Sequence, residues 1–201
     1  MENKGTASKI NIRYMTVTAM LSALAFVLMF FDFSVPLMPS FIKMDLSELP
    51  ALIGSFAMGP VYGILICLIK NLLHLTISST GGVGELSNFI LGASFVFTAG
   101  LIYERNKKKK TAIIGSIVGA VVMALISIPS NYFVVYPVYT KFMPIDAILS
   151  MYQAINPKAD SLLFCLITFN APFTFIKGML SVLITLLIYK RISPIIKGVG
   201  R

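Results

Sequence analysis

Charged side chains divide this chain into a series of long apolar stretches. Tyr14 to Phe31, Leu86 to Tyr103 and Thr111 to Thr140 contain no Asp, Glu, Lys or Arg. Pro50 to Ile69 is equally free of charge and continues past Lys70 to Ser78, and Ser161 to Tyr189 is interrupted only by Lys177. A helix that crosses about 30 Å of hydrocarbon needs about 20 mainly apolar residues, because each residue rises about 1.5 Å. Each stretch therefore predicts a transmembrane helix. The second is too long for one span, and Gly59-Pro60 near its middle is a turn signal that also removes a helix hydrogen bond. Split there, the pattern predicts an all-α polytopic membrane protein: one domain over residues 1–201, a compact bundle of six spans at about 14–32, 48–58, 60–78, 85–104, 111–139 and 161–190.

Composition agrees: 57% of the 201 residues are hydrophobic and only 12% are charged, against roughly 25% charged in soluble domains. The net charge of +9 raises the question of nucleic acid, and its distribution answers it. Most basic residues fall in three short flanks: Lys4, Lys9 and Arg13 before the first stretch, Arg105 to Lys110 in the middle, and Lys190, Arg191, Lys197 and Arg201 at the end. The positive-inside rule puts all three on the cytoplasmic side, which six spans allow and five do not. Both termini are then cytoplasmic. Lys43, Lys70, Lys141, Lys158 and Lys177 are interspersed with most of the acids, so the other side is near neutral. The partners implied are lipid and a small solute, with no nucleic acid, and the location is a cell membrane crossed several times. Tyr14 to Phe31 is long for a signal-peptide core and no clear small-residue cleavage site follows it, so it is retained as a span.

Ionisable and amide side chains inside spans are expensive and mark candidate function. Lys177 lies near the middle of the last span, where a lysine costs about 2.5–3.5 kcal/mol on insertion scales. It either contacts a ligand or pairs with a carboxylate inside the bundle. Asn131, with Ser127 one turn earlier, and Asn88, one turn beyond Glu85, each offer two donors and an acceptor, enough to read one edge of a heterocycle. Bonding between helices is the alternative for both. Lys70, Asn71 and His74 share a face near the end of the third span, and interfacial anchoring is the expectation for them. Cys67 and Cys165 sit in apolar runs as small core residues. A lone His makes no metal site, and Gly81 to Glu85 lacks the Gly-Lys-Ser/Thr ending of a phosphate loop. No reactive constellation is present, so no catalytic residue, cofactor or metal is assigned and the chain is read as a non-enzyme. On the first span Ala19 and Ala23 form a small-xxx-small pair, as do Gly115 and Gly119 on the fifth. Such faces allow close helix approach, within the bundle or against a partner.

Several blocks occur in a telling order: Lys43-Met44-Asp45-Leu46-Ser47-Glu48-Leu49-Pro50-Ala51-Leu52-Ile53, Gly59-Pro60, Lys70-Asn71-Leu72-Leu73-His74, Gly82 to Phe89, Asn131-Tyr132 with Pro137, and Phe173 to Gly178. Over nearly the whole chain this resembles the riboflavin-specific S component of bacterial energy-coupling-factor (ECF) transporters. The resemblance implies a six-helix subunit that holds riboflavin near the extracellular face, under the first outer loop. It also implies a membrane coupling subunit and two ATP-binding subunits as partners, with Ala19 and Ala23 on the docking face. The family commonly ends in Phe-Asn-x-Ile-Lys-Gly, and here Thr174 stands where the Asn is expected. The expected ligand set is Asn88, Asn131, Thr174 and Lys177 for polar contacts, Phe41, Met44 and Leu46 over the ring, and Asp45 and Glu48 from the first block. The alternative is a stand-alone, ion-coupled secondary transporter of a small heterocyclic solute; such carriers often show internal duplication, and none is visible here.

Overall fold

The computed structural model describes residues 12–197, and side chains only as far as 188. The flanking Lys4, Lys9 and Arg201, and with them the sidedness of the termini, lie outside the described residues, as do the side chains of Lys190, Arg191 and Lys197. The chain is mostly helical. Among the described residues, five helical stretches are long and apolar enough to cross a membrane: Ile12–Met29, Pro60–Ile77, Val83–Arg105, Lys109–Tyr139 and Leu162–Ile188. Glu48–Met58 is a shorter apolar helix.

The helices follow the apolar stretches closely. α1 (Ile12–Met29) leads into a two-stranded hairpin, β1 (Phe33–Ser34) and β2 (Lys43–Met44), paired antiparallel with Phe33 opposite Met44. The all-α expectation misses this hairpin, whose strands are too short for a period-two pattern to register. α2 (Glu48–Met58) and α3 (Pro60–His74) meet at Gly59, whose φ of 115° is open to glycine and strained for other residues. Pro60 at the first turn of α3 gives up no helical bond there. A short 3₁₀ turn (Leu75–Ile77) and a loop lead to α4 (Val83–Arg105).

α5 (Lys109–Ser130) packs along α4 through Gly115 and Gly119. A Cβ at Gly115 would lie 2.8 Å from the Ala99 carbonyl oxygen, and one at Gly119 2.8 Å from that of Phe95. The small-residue pair on α5 therefore serves close packing inside the bundle. Beyond α5 a wide π-helical turn (Asn131–Val135) runs into α6 (Tyr136–Tyr139). The last span repeats the device: α8 (Leu162–Cys165), a π-helical turn (Leu166–Asn170), then α9 (Ala171–Lys197). In each case a proline, Pro137 or Pro172, follows two residues after the π-turn. Proline cannot donate to the carbonyl one turn back and its ring pushes that carbonyl away, and the wider turn absorbs the misfit. Between these spans α7 (Ile145–Gln153) forms from residues expected to be loop.

All of α2 is buried, from Glu48 to Met58. It packs among α1, α3, α4 and α9, and the main apolar core, including Leu52, Phe56, Ile66, Phe95 and Met123, surrounds it. A second apolar cluster, built on Tyr136, Ile148, Tyr152 and Leu166, lies beneath α7. α1 buries Thr18, Leu21, Ser22, Ala25 and Met29 and leaves Ala19 and Ala23 exposed on its opposite face.

Candidate functional site

At the hairpin end of the bundle lies a cavity of about 360 Å³, within the roughly 300–1,000 Å³ range of small-molecule pockets. The loop before α2, the start of α4, the α5–α6 junction and the first turns of α9 all contribute to its walls. Asn170, Thr174 and Lys177 line the cavity at spacings of about one helical turn on the last span, and Asn88 of α4 and Asn131 face it from two other helices. Phe41, Tyr139 and Val135 add aromatic and apolar surface to the lining. The Phe41 ring lies 5.5 Å from that of Tyr139 and 6.2 Å from that of Tyr152.

Lys177 gathers several of these polar groups. Its Nζ donates to Asp45 Oδ2 at 2.9 Å and to Asn88 Oδ1 at 3.0 Å, and stands 3.4 Å from Glu48 Oε1. Glu48 also receives Lys70 Nζ at 3.2 Å, and Lys70 donates to the Ser47 hydroxyl. Two ammonium groups thus face two carboxylates, and the cluster is formally neutral. Neutrality is what allows four ionisable groups to stay buried together, since each alone would carry a desolvation penalty of several kcal/mol. Asp45 sits in the loop ahead of α2. Burial by itself raises its carboxyl, but the ammonium groups of Lys177 and Lys70 and hydrogen bonds from Ser47 and Lys177 reverse this and hold it well below the ordinary carboxylate range.

This arrangement corrects the expectation for Lys70. It does not anchor at an interface; it is fully buried, held by Glu48 and Ser47. The reason is the turn at Gly59: Glu48 and Lys70 stand equally far from it in sequence, so the antiparallel α2–α3 pair brings them together. Asn71 is likewise buried and bonds to the Cys67 carbonyl at 2.7 Å. His74 does reach the cavity, where its Nδ1 lies 2.6 Å from Glu85 Oε1. Ser78 and Thr80 also donate to Glu85, at 2.8 and 3.3 Å, so Glu85 ties the α3–α4 loop together at the cavity rim.

Of the sequence-based candidates, Phe41, Asp45, Asn88, Asn131, Thr174 and Lys177 come together around one cavity. Asn131 accepts from Ser87 at 3.2 Å, and its amide protons have no partner among the described residues. Glu48 lies behind the wall and is connected to it through Lys177. Met44 is buried and Leu46 half-buried, both outside the cavity lining. Ala19 and Ala23 are remote from it on α1. Sequence reasoning passed over Asn170, which lines the cavity and bonds to two tyrosines. Its signal was present: Asn170, Thr174 and Lys177 recur at the spacing of one helix face.

Residues 13–189 match the family model described as ECF transporter, substrate-specific component. The chain is 35% identical over 189 residues to "Riboflavin transporter RibU" of Staphylococcus aureus (strain TCH60), covering 94% of each chain. It is 30% identical over 187 residues to "Riboflavin transporter FmnP" of Bacillus subtilis (strain 168), covering 91% of this chain and 93% of that one. A solved structure described as "Structure and mechanism of the S component of a bacterial ECF transporter" superimposes with a TM-score of 0.73 at 34% identity. That match covers 92% of this chain and 98% of the other.

Proposed function

Because this chain belongs to the family of substrate-specific components of ECF transporters, we propose that it captures riboflavin in the cavity under the hairpin and delivers it to the cytoplasm with an ATP-driven coupling module. The observation that carries the reading is the mixed lining of that cavity, where amide, hydroxyl and ammonium side chains stand beside aromatic and apolar ones. Riboflavin has a flat apolar ring system, a pyrimidine-like edge rich in donors and acceptors, and a polyhydroxyl chain. Phe41 and Tyr139 supply a surface for the ring, and Lys177, Asn88, Asn131 and Thr174 supply partners for the polar edge.

The membrane arrangement follows from the same premise. Six spans place the hairpin and α7 outside and both termini inside, the orientation that the basic Arg105 to Lys110 segment favours. At 11 residues, α2 reaches only about 16 Å, yet its complete burial frees it from any need to match the bilayer. A cysteine introduced between Asn106 and Lys110 should react only with reagents that enter the cell, and labelling from outside would overturn the topology.

The exposed Ala19 and Ala23 form the docking face for the membrane coupling subunit, which works with two ATP-binding subunits. Ala19→Trp with Ala23→Trp should abolish ATP-dependent uptake while leaving flavin affinity near that of the wild type. Loss of flavin binding by the folded double variant would place these residues inside the bundle instead. Vesicles holding the chain with its coupling subunit and ATPases should accumulate labelled riboflavin only when ATP is supplied. Accumulation driven by a proton or sodium gradient without the ATPases would contradict the proposal and identify a stand-alone carrier.

A further inference from the structure

Two π-helical turns in different spans end at the same place. Asn131–Val135 delivers Tyr136 and Leu166–Asn170 delivers Asn170 to one wall of the cavity. Behind them stands Tyr152 of α7, fully buried. The Tyr152 hydroxyl donates to Asn170 Oδ1 at 2.6 Å, a distance typical of an O–H···O bond. The hydroxyls of Tyr152 and Tyr136 are 2.7 Å apart, and Asn170 Nδ2 lies 3.4 Å from the Tyr136 oxygen.

With Asn170 Oδ1 as the acceptor, the proton count gives the direction of this ring. Tyr152 has one proton and gives it to Asn170, so Tyr136 must donate to Tyr152, and Asn170 closes the cycle by donating to Tyr136. Burial pushes the Tyr152 phenol up, and its proximity to Tyr136 adds to this, so the phenol keeps its proton. The two hydroxyls thereby hold the plane of the Asn170 amide in place. The ring uses one of its two amide protons, and the other has no partner among the described residues.

Asn170 stands seven residues ahead of Lys177 on the last span, or about 10 Å nearer the hairpin end at about 1.5 Å per residue. The cavity therefore offers polar groups at two levels: a deep set around Lys177 and Asn88, and a shallow one at Asn170. If the deep set takes the pyrimidine-like edge, the polyhydroxyl chain extends toward the shallow level. Resting on the riboflavin reading above, we propose that Asn170 is a specificity-determining residue that donates its remaining amide proton to a hydroxyl oxygen of the ribityl chain, with Tyr152 and Tyr136 as the positioning residues that aim it.

The test compares riboflavin with lumiflavin, which carries the same ring system and no ribityl chain, by fluorescence titration of the purified full-length protein. Asn170→Ala should weaken riboflavin about three- to ten-fold, the worth of one hydrogen bond, and leave lumiflavin unchanged. Tyr152→Phe keeps the aromatic volume and removes only the hydroxyl that orients the amide, so it should show the same selective loss in smaller measure. The double variant should be no weaker than Asn170→Ala alone, because both changes interrupt one interaction. Equal losses for both flavins would make the ring a packing element and overturn the proposal, as would unchanged riboflavin affinity in both single variants. A wild-type protein that binds neither flavin would refute the riboflavin reading itself, a result distinct from wild-type binding that the variants leave untouched.

Discussion

Lys177 and Lys70 belong to one buried ion network, yet the two ends of that network have different surroundings. Lys70 is sealed: no part of its side chain is exposed, and its partners are Glu48 and Ser47. Lys177 shares Glu48 but opens onto the cavity, where it also holds Asp45 and Asn88. The same side-chain chemistry is thus sealed in at one end and open to a ligand at the other. Access to the cavity makes the difference. A ligand can exchange contacts with Lys177 because Asp45, Glu48 and Lys70 remain to balance the charge, whereas nothing can reach Lys70 without unpacking α2 from α3.

The largest effect that would break this comparison is expected for Lys177→Met. It removes a charged donor from the ligand site and leaves two carboxylates with one ammonium group. Loss of such a hydrogen-bonded charge costs about 2–5 kcal/mol of binding energy, so riboflavin affinity should fall on the order of a hundred-fold or more. The measurement is a flavin titration of the folded fraction. Affinity equal to that of the wild type would reduce Lys177 to a structural partner.

Lys70→Met tests the sealed end. Breaking a fully buried pair from one side costs about 3–5 kcal/mol of stability, which should appear as a markedly lower midpoint of thermal unfolding in detergent. Riboflavin affinity of the protein that remains folded should fall far less than in Lys177→Met, because Lys70 does not line the cavity. An affinity loss as large as that of Lys177→Met would erase the distinction between the two ends.

Asn88→Ala is a milder probe of the open end. Its oxygen accepts from Lys177 at 3.0 Å, and without it the ammonium keeps Asp45 and Glu48. Titration should show a loss of about ten- to thirty-fold, or roughly 1.5–2 kcal/mol, the lower part of the range for one hydrogen bond to a charged group because the ammonium keeps its other partners. A loss exceeding that of Lys177→Met would make Asn88 the principal recognition residue.

The smallest effect concerns pH. The folded-state carboxyl of Asp45 is held below its unfolded value of about 3.9, so its contribution to stability is complete above that pH and is lost as pH falls toward the folded value. The stability difference between wild type and Asp45→Asn should therefore be constant from about pH 5 to 8 and shrink only below about pH 4. Unfolding midpoints measured across that range would show it. A difference that vanished already near neutrality would mean that Asp45 is not paired as described.

Much of this was legible in the sequence because membrane spans advertise themselves. Long charge-free runs have few alternative readings, and an Asn or Lys inside one stands out against the cost of burying it. The division at Gly59-Pro60 was equally readable from turn chemistry. Lys70 escapes the sequence reading because a helical-face argument sees only one helix; its partner Glu48 belongs to the preceding one, and only the antiparallel turn joins them. The π-turns left no periodic trace, since each adds a single residue to a helix that otherwise keeps its pattern. α7 and the hairpin were hidden for a different reason: both are short and are held by contacts with the rest of the fold, as Ile148 and Tyr152 show by packing against Tyr136 and Leu166.

Whether riboflavin occupies the cavity beside Lys177 can be read from an equilibrium titration of the purified protein. The chain contains no tryptophan, so flavin fluorescence can be followed free of tryptophan emission. The account predicts saturable quenching at one riboflavin per chain in the wild type, retained in folded Lys70→Met and lost in folded Lys177→Met over the same concentration range. Saturable binding that survives Lys177→Met with unchanged affinity, or the absence of saturable binding in the wild type, would contradict it.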